Sequence, residues 1–232
     1  MLTLYVFPGG YDLPSVSPFC TKTMVYMRLA GIEHTVKAGN PRSTPNGKLP
    51  CLRHAHGMVP DSGLIQSWLE DNNGVTMDAH LTAAQHAQGH IVRRILEEHL
   101  YWVLLYSRWV DDAGWQHQRP VIRPMLPAPL RAFLPGILRS GVRKSLTAHG
   151  LGRHPPKKIY AAGVADIDAL EGLVQGPFLF GDTLTSYDIM VSAFAGSFVV
   201  NPGANPVTDR VKASPKLMAL NSEILRRYAE AT

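Results

Sequence analysis

Residues 2–31 read LTLYVFPGGYDLPSVSPFCTKTMVYMRLAG, a strand, a loop and a helix in that order. Leu2 to Phe7 alternates as a half-buried strand does, and Pro8-Gly9-Gly10 ends it. Tyr11 to Val16 reads as loop. Ser17-Pro18 predicts a helix start: serine suits the N-cap, and proline suits the first helical position, where its missing N–H is no loss. The helix should run to Leu29-Ala30 and stop at Gly31, with Cys20, Met24 and Met27 on one face.

Working outward, Glu33 to Lys37 predicts a second strand and Gly39 to Gly47 a loop. Leu49 to Arg53 predicts a third strand, and Met58 to Pro60 a fourth, joined at His56-Gly57. Asp61-Ser62 opens a helix over Gly63 to Asp71, ended by Asn73-Gly74. A strand–helix–strand unit implies a right-handed parallel crossover, and the last hairpin must be antiparallel. The expected fold class is therefore α+β, a thioredoxin-like domain over 1–75 followed by an all-helical domain over 80–232. That second half opens with a long helical pattern, Thr82 to Val110, whose Ile91, Ile95, Trp102, Leu105 and Trp109 should share a face. Five prolines from Pro120 to Pro135 argue against a long helix in the next stretch. Helices should resume at 137–149, 156–174, 186–200 and 214–229, with Thr185 and Asp188 forming an aspartate variant of the capping box.

The 232 residues are 45% hydrophobic and 18% charged, which suits a folded soluble chain and excludes a disordered one. The apolar run Ile189 to Val200 is too short to span a bilayer. Met1 to Phe7 has no basic leader, and two cysteines make no disulfide framework, so a reducing cytoplasm is expected. The net charge of +5 is unevenly spread: acidic residues stop at Asp112 and resume at Asp166, while nine Lys and Arg lie between Arg119 and Lys158. This insert, 113–165, reads as a basic lid or rim for anionic ligands. Contact with a membrane surface is the less favoured alternative, because Leu130, Phe133, Leu134, Ile137 and Leu138 are expected to be absorbed by the core. Nucleic acid is not expected, since aromatic residues for base stacking do not alternate with the charges.

Three short motifs bear on chemistry. Ser17 is either a helix cap alone or a hydroxyl that donates to a bound thiolate at the positive end of a helix dipole. It stands at the first position of a Cys-x-x-Cys spacing completed by Cys20, so a dithiol cycle is absent. Gly47-Lys48-Leu49-Pro50 is either a strand edge with a trans proline or a cis turn that offers the Leu49 N–H and C=O to an extended peptide. Asp61-Ser62 is either simple capping or a carboxylate site at a helix start. The His54/His56 and His86/His90 pairs lack a third ligand, so no metal is expected. Cys51 reads as a small buried hydrophobe, Glu97 and Glu98 as partners of Arg93, Arg94 or Arg108, and the aromatics from Tyr101 to Trp115 as core, some lining an apolar pocket between domains.

Together these motifs resemble the N-terminal domain of glutathione transferases: Ser-Pro-Phe-Cys, then Arg28-Leu29-Ala30-Gly31-Ile32, Gly47-Lys48-Leu49-Pro50 and Asp61-Ser62. Gly181-Asp182 and Thr185-Ser186-Tyr187-Asp188 resemble the capping motif of that family's helical domain. The failed-axon-connections and metaxin-like branch is the most similar, on Ser15-Val16-Ser17-Pro18-Phe19-Cys20, Glu97 to Trp102, Arg108-Trp109 and His149 to His154. The resemblance implies glutathione as co-substrate and Ser17 as the residue beside its thiol. It implies binding by Ser15, by Leu49 and Pro50 along the cysteinyl backbone, by Asp61 and Ser62 at the γ-glutamyl group, and by Lys48 near the glycine carboxylate. Tyr5 and Tyr11 are backup hydroxyls, and Asp61 stands where the family usually has Glu or Gln. A homodimer and a small apolar electrophile are also implied. The alternative is a non-catalytic module of the same fold that binds a partner through the insert.

Overall fold

The computed structural model describes residues 1–201 and 203–231. Its first part alternates β1 (Leu2–Val6), α1 (Pro18–Leu29), β2 (His34–Ala38), β3 (Cys51–His54), β4 (Gly57–Pro60) and α2 (Ser62–Asn73). The sheet order is β2-β1-β3-β4, with β1 parallel to β2 and the other pairs antiparallel. This is the thioredoxin-like arrangement expected. β3 begins at Cys51, two residues later than expected, because Pro50 has no N–H to give the ladder. Leu4, Cys51 and Leu52 are wholly buried between the sheet and the helices that supply Met27, Ile65 and Leu69.

From Ala83 onward every regular element is helical. α3 (Ala83–Arg94) continues through a π-helical turn (Ile95–Leu100), α4 (Tyr101–Leu105) and a second π turn (Tyr106–Val110). The Tyr101 N–H reaches Leu96 O, and the Asp111 N–H reaches Tyr106 O at 3.0 Å, both five residues back. Then follow α5 (Asp112–Ile122), α6 (Leu134–His149), α7 (Pro156–Leu173), α8 (Ser186–Val199), α9 (Pro206–Lys212) and α10 (Pro215–Glu230). α8 is buried along almost its whole length and forms the second core with Val92, Leu96, Leu100 and Val103. Its start is the expected capping box: Asp188 accepts from the Thr185 N–H at 2.8 Å and the Leu179 N–H at 2.6 Å.

Several expectations are corrected. The buried stripe of the long helix is Val92, Leu96, Leu100, Val103 and Leu104, while Ile91 is exposed and Ile95, Trp102, Leu105 and Trp109 are half-buried. That helix is apolar on more than one side, and its widened turns make a 3.6-residue count drift. α5, which Asp111 caps by accepting from the Ala113 N–H at 3.0 Å, was not expected; Pro120 falls in its last turn, and two 3₁₀ turns follow in place of a long helix through the prolines. α9, started by Asn205 as cap and Pro206, was not expected either. Leu130, Phe133, Ile137 and Leu138 are exposed, not buried. α6 turns Pro135 and Leu146 inward and leaves Phe133 and Ile137 on the outer side.

Candidate functional site

The sheet register sets the site. Tyr5 pairs with Cys51, and Cys51 pairs with Pro60. The chain segments leading from Tyr5 to Ser17, from Leu49-Pro50 into Cys51, and from Pro60 to Asp61 therefore all meet at one end of the sheet. Three motifs distant in sequence are brought together by one row of strand pairs.

Ser17 caps α1, its Oγ accepting from the Cys20 N–H at 3.5 Å, a long contact that leaves the hydroxyl proton free to donate elsewhere. Ser15 lies beneath it and is wholly buried. The Ser15 hydroxyl donates to Phe7 O at 2.8 Å and accepts from the Ser17 N–H at 3.3 Å, so Ser15 shapes the turn that presents Ser17 and has no face open to a ligand. Burial pushes the Cys20 thiol up, which makes it a poor nucleophile. The Leu49–Pro50 peptide is cis. Both residues stand outside the ladder, which leaves the Leu49 backbone available to an extended peptide. Lys48 beside them is exposed.

At the start of α2, the Asp61 carboxylate accepts from the Gly63 N–H at 2.8 Å. Asp61 holds φ 72° and ψ 135°, a left-handed backbone state that side chains resist. Ser62 is the first helical residue and lines a small interior cavity with Lys22, Tyr26 and Gln66. Free N–H groups of this helix end point at the place a carboxylate would take.

The two tyrosines do not gather at this point equally. Tyr5 sits in the central strand, with the Arg53 guanidinium 5.5 Å from its ring. The Tyr11 hydroxyl donates to Gln118 Oε1 at 2.8 Å, which ties it to α5, and burial pushes its pKa up. Among the described residues, no group of three or more His, Cys, Asp or Glu side chains is placed to hold a metal ion. His54 packs on Trp68, with ring centroids 4.7 Å apart.

Two buried cations near the site make contacts that the sequence reading does not foresee. Lys22 in α1 pairs with Glu97 of the first π turn. Burial holds the Lys22 ammonium below its usual range, and Glu97 and Asp61 act against that. Arg108, in the second π turn, donates to Val16 O at 3.0 Å and to Ser197 O at 2.7 Å, with no carboxylate partner among the described residues. Burial pushes its guanidinium down to about 10, and the nearby Tyr11 and Tyr101 act against that. Glu97 thus takes a lysine where an arginine was expected, whereas Glu98 does pair with Arg94, at 3.1 Å. The signal available in the sequence was a charge inside an apolar helix, as at Lys22 between Cys20 and Met24.

Such a layout, a thioredoxin-like sheet with a capped serine, a cis proline and an acidic helix start, docked on an all-helical domain, defines a class, and comparisons with known proteins agree. Residues 18–114 match the family model of the glutathione S-transferase N-terminal domain. Isoprene-epoxide–glutathione S-transferase of Rhodococcus sp. (strain AD45) is 30% identical over 98% of this chain and 99% of its own length. The chain belongs to the glutathione S-transferase family. It is also 28% identical to failed axon connections of Drosophila melanogaster and 30% identical to metaxin-1 of Macaca fascicularis, over 83% of its length in each case. It spans 49% and 64% of those two proteins. A glutathione S-transferase of Methylobacterium radiotolerans, solved with glutathione sulfonate, shares the fold at a TM-score of 0.63 and 15% identity, covering 99% of this chain and 93% of that one.

Proposed function

We propose that this protein is a glutathione transferase acting on a small apolar epoxide. Glutathione lies extended along Leu49-Pro50, its γ-glutamyl end at the start of α2 against Asp61 and Ser62 and its glycine carboxylate near Lys48. Its cysteinyl sulfur then falls beside Ser17. The positive end of α1 and the Ser17 hydroxyl stabilise the thiolate; about 1.4 kcal/mol of differential stabilisation lowers a thiol pKa by one unit, and a helix end with one hydrogen bond reaches that order. The thiolate attacks an epoxide carbon, an S–C bond forms as a C–O bond breaks, and the opened alkoxide takes a proton from water. The observation that carries this reading is the convergence of Ser17, cis Pro50 and Asp61 on one end of the sheet. The epoxide comes from the full-length relative whose name carries isoprene epoxide. A symmetric homodimer belongs to the same proposal.

Calorimetry with glutathione, followed by conjugation of small epoxides monitored as loss of free thiol, tests it. Saturable binding and conjugation support the reading. Absence of heat and of thermal shift at high glutathione rules it out and leaves the second reading, a non-catalytic module. That reading is favoured by one observation, the exposed apolar side chains of the basic insert.

A further inference from the structure

Of the large apolar side chains left open among the described residues, Met1, Val36, Leu64 and Ile91 are scattered along the chain, while Leu130, Phe133, Ile137 and Leu138, at 46%, 72%, 63% and 40% exposure, lie close together in it. Soluble surfaces scatter such side chains singly; here they fall within one short segment and form a patch. The cause is local. Pro135 and Leu146 face inward, so Phe133 and Ile137, one helical turn apart, stand together on the outer side of α6. Leu130 closes the preceding 3₁₀ turn, Ala128–Leu130. Beside the patch runs a groove of about 540 Å³ lined by Trp115, Phe133 and Ile137, with Arg119 and Arg139 at its walls.

Charge selects the occupant. No Asp or Glu occurs between Ala113 and Ala165. Arg139 is committed to the Trp109 and Val110 carbonyls and to Asp112. Arg119, Arg123, Arg143 and Lys144 are exposed and make no ion pair among the described residues. A second copy of the chain is disfavoured, because a twofold contact sets this cationic patch against itself. Nucleic acid supplies the charge but has no use for exposed leucine and isoleucine, which do not stack on bases. An anionic bilayer surface supplies acidic headgroups and, just below them, an apolar layer that takes aliphatic and phenyl groups.

We propose that the surface formed by residues 119–144 docks the protein reversibly on an anionic membrane surface. Phe133 and Ile137 enter the boundary between headgroups and acyl chains, and Arg119, Arg123, Arg143 and Lys144 engage the headgroups. No helix of the described residues is long and apolar enough to cross a membrane; the contact proposed is with the surface. The exposure of these side chains reverses the preference for a lid that the sequence suggested. The inference does not depend on glutathione binding.

Co-sedimentation of the full chain with vesicles tests it, using phosphatidylcholine alone and phosphatidylcholine mixed with phosphatidylglycerol. Binding to the mixed vesicles only, released when salt rises from about 0.1 M to about 0.5 M, is expected. Phe133→Ser with Ile137→Ser, and separately Arg143→Glu with Lys144→Glu, should each weaken that binding about tenfold or more. Both pairs are exposed, and an unchanged melting temperature shows that the variants fold. No vesicle binding, equal binding to neutral vesicles, or variants that bind as the parent does would overturn the proposal. So would self-association in vesicle-free solution that the Phe133→Ser, Ile137→Ser variant abolishes.

Discussion

The Arg108 guanidinium is bonded to the Val16 carbonyl at 3.0 Å, so a charge from the helical half holds the residue next to the cap Ser17. The same guanidinium holds Ser197 O of α8, and its Nε–H has no partner among the described residues. Arg108→Met should leave two carbonyls without donors and lower stability by roughly 2–4 kcal/mol in urea unfolding, partly offset by removal of a buried charge. It should also raise the pKa of bound glutathione, because the loop that presents Ser17 loses its anchor. Arg108→Lys should recover part of the stability and less of the pKa. A Met variant as stable as the parent would show that Arg108 does not secure the loop.

Ser17→Ala separates capping from chemistry. The cap bond is long at 3.5 Å, so its loss should cost about 0.5–1 kcal/mol, at the low end for an N-cap. Thiolate absorbance of bound glutathione should shift to higher pH, with most of the affinity kept. If melting temperature falls and the absorbance titration does not move, Ser17 is a cap and nothing more.

Asp61 combines a strained backbone with a carboxylate that caps α2, and its proposed contact with glutathione gives a distinctive split. Asp61→Gly should nearly preserve stability, since relief of about 1 kcal/mol of strain offsets the lost cap. Glutathione affinity should nonetheless drop several-fold by calorimetry. Ser62→Ala should weaken affinity as well. Parallel losses of affinity and stability in Asp61→Gly would argue that the carboxylate acts only on its helix.

His99 and Asp166, 2.5 Å apart, join the first π turn to α7. The Asp166 hydrogen bond raises the His99 pKa above its ordinary 6.5, against the effect of burial. A raised histidine pKa gives stability that is fully present below the unfolded value and fades as pH rises through the folded one. Asp166→Asn should therefore lower the melting temperature clearly near about pH 5.5 and much less near about pH 9. A gap that is constant with pH would assign the pair no charge coupling.

What the sequence made legible was local. Ser17-Pro18, Asp61-Ser62 and Thr185 with Asp188 are caps whose partners lie two or three residues away, so their chemistry is written in adjacent letters. The strand alternation at Leu2 to Phe7 needed no distant knowledge either. Lys22 with Glu97, Arg108 with Val16 and His99 with Asp166 are long-range meetings that depend on how helices are docked. No spacing rule predicts them. The exposure of Phe133 and Ile137 was misread for the same reason: apolar content says that a residue gains from burial, and only the neighbours decide whether burial is on offer. Ser15 shows a subtler limit, since its place beside Ser17 suggested ligand contact while the fold spends its hydroxyl on Phe7.

Glu97 and Arg108 both reach from the long helix across to the first half, and each issues from a π turn, whereas Arg93, which donates to Gln66 Oε1 at 3.1 Å, does so from the regular α3. A π turn holds one residue more than the α-helix around it, so each is structurally a single-residue insertion absorbed without breaking the helix. Deleting one residue from Ile95–Leu100 would restore an ordinary turn and leave what lies beyond it in nearly the same phase, so Arg108 would still face Val16. The change would fall on the side chains of the turn itself, and Glu97 would lose its place against Lys22. A one-residue deletion in the regular stretch Tyr101–Leu105 would instead rotate Arg108 by about 100° away from Val16. Along a lineage, this helix can therefore change length at its π turns more readily than between them.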